Sequence, residues 1–375
     1  MKVVVILPTY NERENIRILL ENLEKVSQEI PTHECVFLVV DDNSPDGTDD
    51  LIKSYQKQHA NVFLISDTKQ GLGKALLRGM TYAVEKLHAD ILVQMDADLS
   101  HDPQRLPAFL HAIDQGADFA VGSRYIRGGS IPNNWGIHRK IFSVVGNAIV
   151  RFGLGFPRIH DWTGGYRAYK RRFFEEAKSH VRKYSGYVFQ IAFLHQAILH
   201  NAKIAEVPIE FTDRKFGRSK IAPTEYIQNV LSYVISERLR SLIRGTFGKF
   251  LVVGTIGFII NTVILELSVS FGVHPAVGSV FGAELAIISN FILNNRWTFR
   301  TRPIPKGKAG AKFFQFNASS LGALVIQGVS VWAGTRVWGL GSYRVFYVLG
   351  VGIGLIWNYT MYSRVIWKKS EPAGI

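Results

Sequence analysis

Past residue 247 the chain turns almost wholly apolar, and that break constrains its fold more than any single motif. Residues 313–335 and 345–363 carry no charge, while 250–271 and 276–293 carry one each, Glu266 and Glu284. About 20 helical residues cross a hydrocarbon core of roughly 30 Å, so four transmembrane helices are expected. The connections give an orientation. The stretch 301–312 holds Arg302, Lys306, Lys308 and Lys312, just after Arg296 and Arg300. Lys368 and Lys369 follow the last helix, and Arg238, Arg240, Arg244 and Lys249 precede the first. The loop 272–275 has no Lys or Arg, and the other outer turn has only Arg336 and Arg344 nearby. Positive-inside counting therefore predicts a multi-pass protein whose preceding domain is cytoplasmic. The tail also echoes itself. Asn290 and Arg296 in ISNFILNNRWTF return 68 residues later as Asn358 and Arg364 in IWNYTMYSRVIW. Lys249-Phe250 is echoed, at its own spacing, by Lys312-Phe313. Such echoes predict a duplicated hairpin.

Before the break, β-branched runs at 3–7, 36–40, 62–65, 91–95, 119–121 and 204–211 alternate with helical patterns at 12–28, 49–59, 73–87 and 103–115. This alternation predicts a mostly parallel sheet covered on both faces. The expected domains are residues 1–224, an amphipathic linker at 225–246, and a membrane domain at 247–368. Stretches 137–152 and 226–243 place apolar residues at helical spacing. Each can be an ordinary core helix or a helix lying in the membrane interface. Lys and Arg number 44 against 30 Asp and Glu, and this net +14 asks for an anionic partner. Nucleic acid is disfavoured, because the basic residues gather at the membrane entry and the sheet edge with no recognisable binding module. Cys35 is the only cysteine, so no intrachain disulfide can form, and its apolar setting reads as a buried structural thiol.

The chemistry concentrates at strand ends. Asp96-Ala97-Asp98 closes the apolar run 91–95. Two carboxylates one residue apart leave a strand on one face, so both can reach one hard divalent cation, which can hold a diphosphate. In open α/β sheets ligands bind outside this carboxyl edge. In VVDDNSPDGT, Asp42 is placed to accept hydrogen bonds from a ribose or base, whereas Ser44 and Asp46 read as turn and cap residues. The stretch GLGKALLRG lacks the dinucleotide and P-loop spacings, so it reads as a tight turn that packs a helix on the sheet. Arg124 follows another strand towards the same edge. Arg139, Lys140, Arg214, Lys215, Arg218 and Lys220 supply cations that could offset repulsion between two phosphate-bearing substrates.

Taken together, LPTYNERENI, VVDDNSPDGT, MDADLSHDP, GSRY, NNWGIHRK, DWTGGYR, SGYVFQ and EVPIEFTDRKFGRSK resemble a family 2 glycosyltransferase. More narrowly they resemble polyprenyl-phosphate (dolichyl-phosphate) mannosyltransferases. The tail is similar to the four-helix GtrA-like domain. The resemblance implies an α/β GT-A fold, a Rossmann-like mixed sheet, followed by a four-helix transmembrane domain. It implies that Pro8, Tyr10, Glu12, Val40 and Asp42 hold the nucleoside. Asp96, Ala97 and Asp98 would contact the donor diphosphate, and Asp96, Asp98 and position 100 would face Mg²⁺ or Mn²⁺. Arg214 and Lys220 would grip the donor phosphates, and Arg124, Arg139 and Ser143 would receive the lipid phosphate. Two positions depart from relatives: Ser100 stands where some have a metal-binding glutamine, and Ala192 where many have glutamate.

The implied reaction is inverting transfer of mannose from GDP-mannose to polyprenyl (dolichyl) phosphate. A phosphate monoester is largely dianionic at pH 7, so no protein base is required. Asp161 therefore reads as an orienting or structural carboxylate, and His101, His138 and His160 as structural. Three alternatives remain: the same chemistry with UDP-glucose, a processive polysaccharide synthase, and a lipid-linked-sugar flippase with a degenerate transferase domain. The synthase reading is weak, since its Q-x-x-R-W signature is met only by Arg296-Trp297 with Leu293 in place of glutamine. Glu266 and Glu284 inside membrane helices keep the flippase reading open.

Overall fold

The computed structural model describes residues 1–213 and 223–368. Seven strands form one sheet: β1 (Lys2–Thr9), β2 (Glu34–Asp41), β3 (Val62–Ser66), β4 (Ile91–Gln94), β5 (Phe119–Ser123), β6 (Arg167–Lys170) and β7 (Ile204–Pro208), in the order β3-β2-β1-β4-β6-β5-β7. β6 alone runs against the rest, pairing antiparallel with β4 and β5. The sheet is thus mixed, and mostly parallel as the alternation predicted. Sequence patterning did not place β6, whose RAYK carries charge at both ends.

Side chains alternate across the strands and feed two cores. Val3, Val5 and Leu7 of β1 pack under α1 (Arg13–Gln28) and α4 (Leu106–Asp114). Val4 and Ile6 pack under α3 (Leu72–Glu85), α6 (Arg171–Val181) and α7 (Gly186–Leu199). The shorter α2 (Thr48–Gln56) flanks β3. Gly79 of α3 lets that helix lie directly on the sheet, since a Cβ there would stand 2.7 Å from Ile6 Cγ2 and 2.8 Å from Val40 Cγ2. The glycine-rich stretch therefore packs a helix, as expected. Burial pushes the Cys35 thiol up to about 11, which leaves it a neutral structural group.

Two helices carry unusual surfaces. α5 (Ile137–Leu154) buries Asn147, Val150 and Leu154 but exposes Ile137, Ile141, Phe142, Val144, Val145 and Phe152. α8 (Pro223–Arg244) packs Val230, Tyr233 and Val234 into the first core and exposes Ile235, Leu239 and Ile243. The chain divides into two compact units within α8, after Glu237.

The second unit consists of two helical hairpins, α9 (Thr246–Ser270) with α10 (Pro275–Leu293), and α11 (Ala309–Trp338) with α12 (Tyr343–Met361). Among the described residues three helical segments, Thr246–Ser270, Ala309–Trp338 and Leu340–Ile366, are long and apolar enough to cross a membrane. The fourth expected span corresponds to α10, a helix of 19 residues that carries Glu284. Small residues bring the helices close: a Cβ on Gly257 would meet the Asn290 amide at 2.5 Å, and one on Gly282 would meet Asn261 Oδ1 at 2.5 Å. Aromatic residues Phe250, Phe299, Phe316, Tyr362 and Trp367 close one end.

Candidate active site

The carboxyl ends of β1, β2, β4 and β5 share one edge of the sheet. Pro8 stands opposite Val40 and Thr9 opposite Asp41, while Ile6 stands opposite Gln94. The edge is braced by Asp41, which is fully buried. Its Oδ1 accepts from Thr9 Oγ1 (2.8 Å) and Ser44 Oγ (2.6 Å), and its Oδ2 from Ser44 N (2.7 Å). Asp46 accepts from Thr48 N, Thr48 Oγ1 and Arg13 N. Burial works against its charge, but these bonds hold Asp46 below the usual carboxylate range. Ser44 and Asp46 are thus turn residues ahead of α2, whose N-cap is Gly47.

Asp42 faces a different partner. Arg78 Nη2 of α3 donates to Asp42 Oδ1 at 2.7 Å, and its Nη1 lies 3.5 Å from Asp67 Oδ2. Arg78 was visible in the glycine-rich stretch, but nothing in the spacing revealed its partner. Tyr10 lies under Lys69, whose Nζ stands 3.6 Å from the ring centroid. Glu12 accepts from Asn15 Nδ2 at 2.7 Å, and its N–H donates to Thr48 Oγ1. Pro8, Tyr10, Glu12, Val40 and Asp42 are therefore gathered where β1 and β2 end.

β4 stops at Gln94, two residues short of Asp96, so the acidic pair lies in a bend instead of along a strand. Strand alternation does not set its geometry; local hydrogen bonds do. Ser100 donates twice to Asp98 Oδ1, from N (3.1 Å) and Oγ (2.6 Å). Leu99 between them takes the left-handed φ of +61°, rare for a branched residue. Ala97, Asp98 and Ser100 are buried, and the Ser100 hydroxyl serves Asp98, so its part in the expected metal set is to aim that carboxylate. The Asp96 N–H donates to His101 Nδ1 at 3.1 Å. Burial pushes His101 below the ordinary histidine range, so the ring is neutral beside the acids. A Cβ on Gly165 would stand 3.2 Å from Asp96 Oδ1, so the second glycine of DWTGGYR makes room for that carboxylate.

Among the described residues no cluster of three His, Cys, Asp or Glu can hold an ion alone. Two hard carboxylates with the remaining positions left to substrate oxygens and water match the way Mg²⁺ is usually bound with phosphates. The donor set therefore fits a divalent cation bound together with a diphosphate.

Beyond β5 a second cluster forms. Arg124 grips Asp161 with Nε to Oδ2 (2.7 Å) and Nη2 to Oδ1 (2.8 Å), adding its backbone N–H (3.1 Å) and a bond to Thr163 Oγ1. Asp161 is wholly buried and also accepts from Thr163 N and Gly164 N. Burial opposes its charge, yet Arg124 and these donors hold it below the usual carboxylate range. This matches the orienting or structural carboxylate expected from the sequence. α5 docks on the same loop: Asn147 Nδ2 donates to Thr163 Oγ1, and Trp162 N donates to Asn147 Oδ1. Ser143 shares a hydrogen bond with the Tyr125 hydroxyl. Arg139 lies over the Trp135 ring and 3.3 Å from Asp213 Oδ1, which also accepts from Trp135 Nε1. Arg214 and Lys220 lie outside the described residues.

One residue was missed altogether. Arg167 is fully buried and donates to the carbonyls of Trp162, Gly164 and Gln190, clamping the loop that carries Asp161. Burial pulls it down to about 10. Its signal lay in DWTGGYR, where an arginine follows a glycine pair. His160 bonds to Glu206 through Nδ1 and its N–H, so it is structural as read. Ala192 is fully buried in the first core.

Comparison with known proteins identifies the frame. Residues 4–177 match the family described as Glycosyl transferase family 2, and residues 249–367 match the GtrA/DPMS transmembrane domain. Dolichol-phosphate mannosyltransferase of Pyrococcus furiosus is 30% identical over 374 residues, covering 98% of this chain and 99% of that one. Polyprenol monophosphomannose synthase of Mycolicibacterium smegmatis is 40% identical over 223 residues, 59% of this chain and 81% of the relative. Undecaprenyl-phosphate mannosyltransferase of Micrococcus luteus is 36% identical over 246 residues, 64% and 98% respectively. Among solved structures, glucosyl-3-phosphoglycerate synthase of Mycobacterium tuberculosis aligns at 18% identity with a TM-score of 0.47, over 63% of this chain and 78% of that one. The chain belongs to the family 2 glycosyltransferases: it is a membrane enzyme with a GT-A catalytic fold followed by a GtrA/DPMS transmembrane domain.

Proposed function

We propose that this enzyme transfers mannose from GDP-mannose to a polyprenyl phosphate at the cytoplasmic face of the membrane, with inversion at the anomeric carbon. In this reading residues 1–224 are the transferase domain, 225–246 an interfacial linker and 247–368 a multi-pass membrane domain. One observation carries it. The carboxylate bend and the Arg124–Asp161 cluster share a sheet edge with α5, whose outer face exposes Ile137, Phe142 and Phe152 at 77%, 54% and 64%. A hydrophilic acceptor needs no such face, whereas a lipid acceptor does. The names of the relatives point the same way.

The donor half uses Pro8, Tyr10, Glu12, Val40 and Asp42 for the nucleoside, with Arg78 fixing the Asp42 carboxylate. Asp96 and Asp98 hold the cation and diphosphate, with Ala97 packed between them and Ser100 aiming Asp98. Mg²⁺ or Mn²⁺ bound there supplies positive charge that stabilises the departing diphosphate. Arg214 and Lys220 are assigned to the same phosphates. In the acceptor half, Asp161 engages Nε and Nη2 of Arg124 and so fixes the guanidinium beside the lipid phosphate, and Arg139 and Ser143 line the approach from α5. An oxygen of the acceptor phosphate attacks the anomeric carbon as the bond to GDP breaks. The acceptor arrives deprotonated, so no side chain takes a proton, and the protein acts by placement and charge.

Membranes bearing the enzyme, polyprenyl phosphate and radiolabelled GDP-mannose or UDP-glucose test this. Label from GDP-mannose is expected in the lipid fraction. Label from UDP-glucose alone would overturn the sugar assignment, and label from neither would overturn the transferase reading.

A further inference from the structure

The two membrane hairpins are built alike, and the likeness concentrates where the charge is. Each closes in a π-helical turn, Asn294–Thr298 after α10 and Tyr362–Ile366 after α12, at the 68-residue offset of the sequence echo. The closing bonds match: Phe299 N–H donates to Asn294 O and Trp367 N–H to Tyr362 O, each at 2.8 Å. One extra residue in a helical turn rotates the succeeding side chains by about 100°. After the turns, Phe299 and Trp367 point inward, their rings stacked 4.7 Å apart. The arginine at the centre of each turn, Arg296 and Arg364, stays exposed. Four residues on, Arg300 and Lys368 repeat the register and are exposed too. A further cation comes from the first helix of each hairpin. Lys249 Nζ lies 5.8 Å from the Trp297 ring centroid, and Lys312 Nζ donates to Val365 O at 2.8 Å. Trp297 and Val365 are themselves equivalent positions of the repeat.

We propose that each hairpin forms one binding site for the phosphate of an anionic membrane phospholipid. Lys249, Arg296 and Arg300 make the first, and Lys312, Arg364 and Lys368 the second. Charge complementarity identifies the occupant. From Arg238 to Lys368 the only acidic residues are Glu266 and Glu284, and both lie within α9 and α10, away from this end. A cationic cluster without acids, at the helix ends of a transmembrane domain, fits a lipid headgroup. Half-exposed Trp297 and Val365 (39% and 41%) beside the arginines give the lipid's apolar part a surface. The sites use no residue of the transfer reaction, so they stand apart from the mannosyltransferase reading.

The test is lipid retention by the full chain, which needs no turnover. Protein from nanodiscs of phosphatidylcholine mixed with phosphatidylglycerol is analysed by native mass spectrometry. Two phosphatidylglycerols per chain are expected for the wild type, one each for R296Q/R300Q and R364Q/K368Q, and none for the fourfold variant. Affinity should fall about fivefold per cation removed. The charge-preserving R296K/R364K variant should keep both lipids, R336Q/R344Q at the opposite helix ends should change nothing, and inorganic phosphate should not displace them. Retention of phosphatidylglycerol no better than phosphatidylcholine by the wild type would overturn the proposal, whatever the stability of the variants. So would an unchanged count in the glutamine variants, an equal loss in R336Q/R344Q, or displacement by inorganic phosphate.

Discussion

The half of the site assigned to the donor and the half assigned to the acceptor meet at one sheet edge but are held together differently. On the donor side the carboxylates sit in a bend, secured by short local bonds: Ser100 on Asp98, His101 on the Asp96 backbone, Arg78 on Asp42. On the acceptor side Asp161 is sealed in the interior, with the Arg124 fork and two further backbone amides on it, and Arg167 clamps its loop from below. The difference separates two uses of charge. Carboxylates meant for a cation need capacity at the cleft, so little of the fold depends on them. A buried ion pair spends its capacity on structure, and loss of either partner strands the other.

Arg124→Ala gives the largest expected effect. It leaves Asp161 charged and unpaired, and stability should fall by about 3–5 kcal/mol. A thermal-unfolding midpoint equal to the wild type would erase the distinction between the halves. Asp98→Asn should show the opposite profile, with transfer down about 10²–10³-fold and the midpoint nearly unmoved. Full activity would discredit the metal–diphosphate assignment.

Acid should act beneath the acceptor side. His195 of α7 bonds to Tyr233 at 2.9 Å and meets Phe156, which itself packs on Trp162. Burial drops this histidine to about 4, despite the opposing pull of Glu237. Below pH 6.5 the unfolded chain takes up a proton that the folded one refuses. Stability present above pH 6.5 is therefore lost as pH falls towards 4, by up to about 3 kcal/mol. His195→Asn should flatten that stretch of the stability–pH curve, and an unchanged slope would remove His195 as its cause. The smallest effect is expected from Gly79→Ala beneath the donor side, where the new methyl crowds Ile6 and Val40. A loss of about 1–3 kcal/mol would sharpen the view that the donor side depends on helix-to-sheet contact, and no loss would contradict it.

Much of this was legible in the sequence because it rests on local patterns. The parallel strands, the glycine contact of α3, the turn at Asp46 and the apolar tail all follow from periodicity or turn chemistry. What escaped depends on pairing across distance. β6 escaped because Arg167 and Lys170 do not look like strand interior, although Arg167 is buried by satisfying the nearby carbonyls of Trp162 and Gly164 and the more distant one of Gln190. The Asp42–Arg78 and Arg124–Asp161 pairs join residues 36 and 37 positions apart, and no spacing rule links them. The acidic pair is recognisable by its chemistry, but the apolar run reaches Met95 whereas the strand ends at Gln94, and the bend is set by Ser100. The duplicated hairpin was visible as an echo; its π-helical turns were not, since an inserted residue leaves no compositional mark.

The account rests most heavily on cation-dependent diphosphate binding at Asp96 and Asp98. Calorimetric titration of GDP into the full-length protein, with and without Mn²⁺, addresses that directly when wild type is compared with Asp98→Asn. Tight GDP binding only with Mn²⁺ in the wild type, and weak binding under both conditions in the variant, is the predicted result. GDP binding that ignores Mn²⁺, or that Asp98→Asn leaves intact, would contradict it.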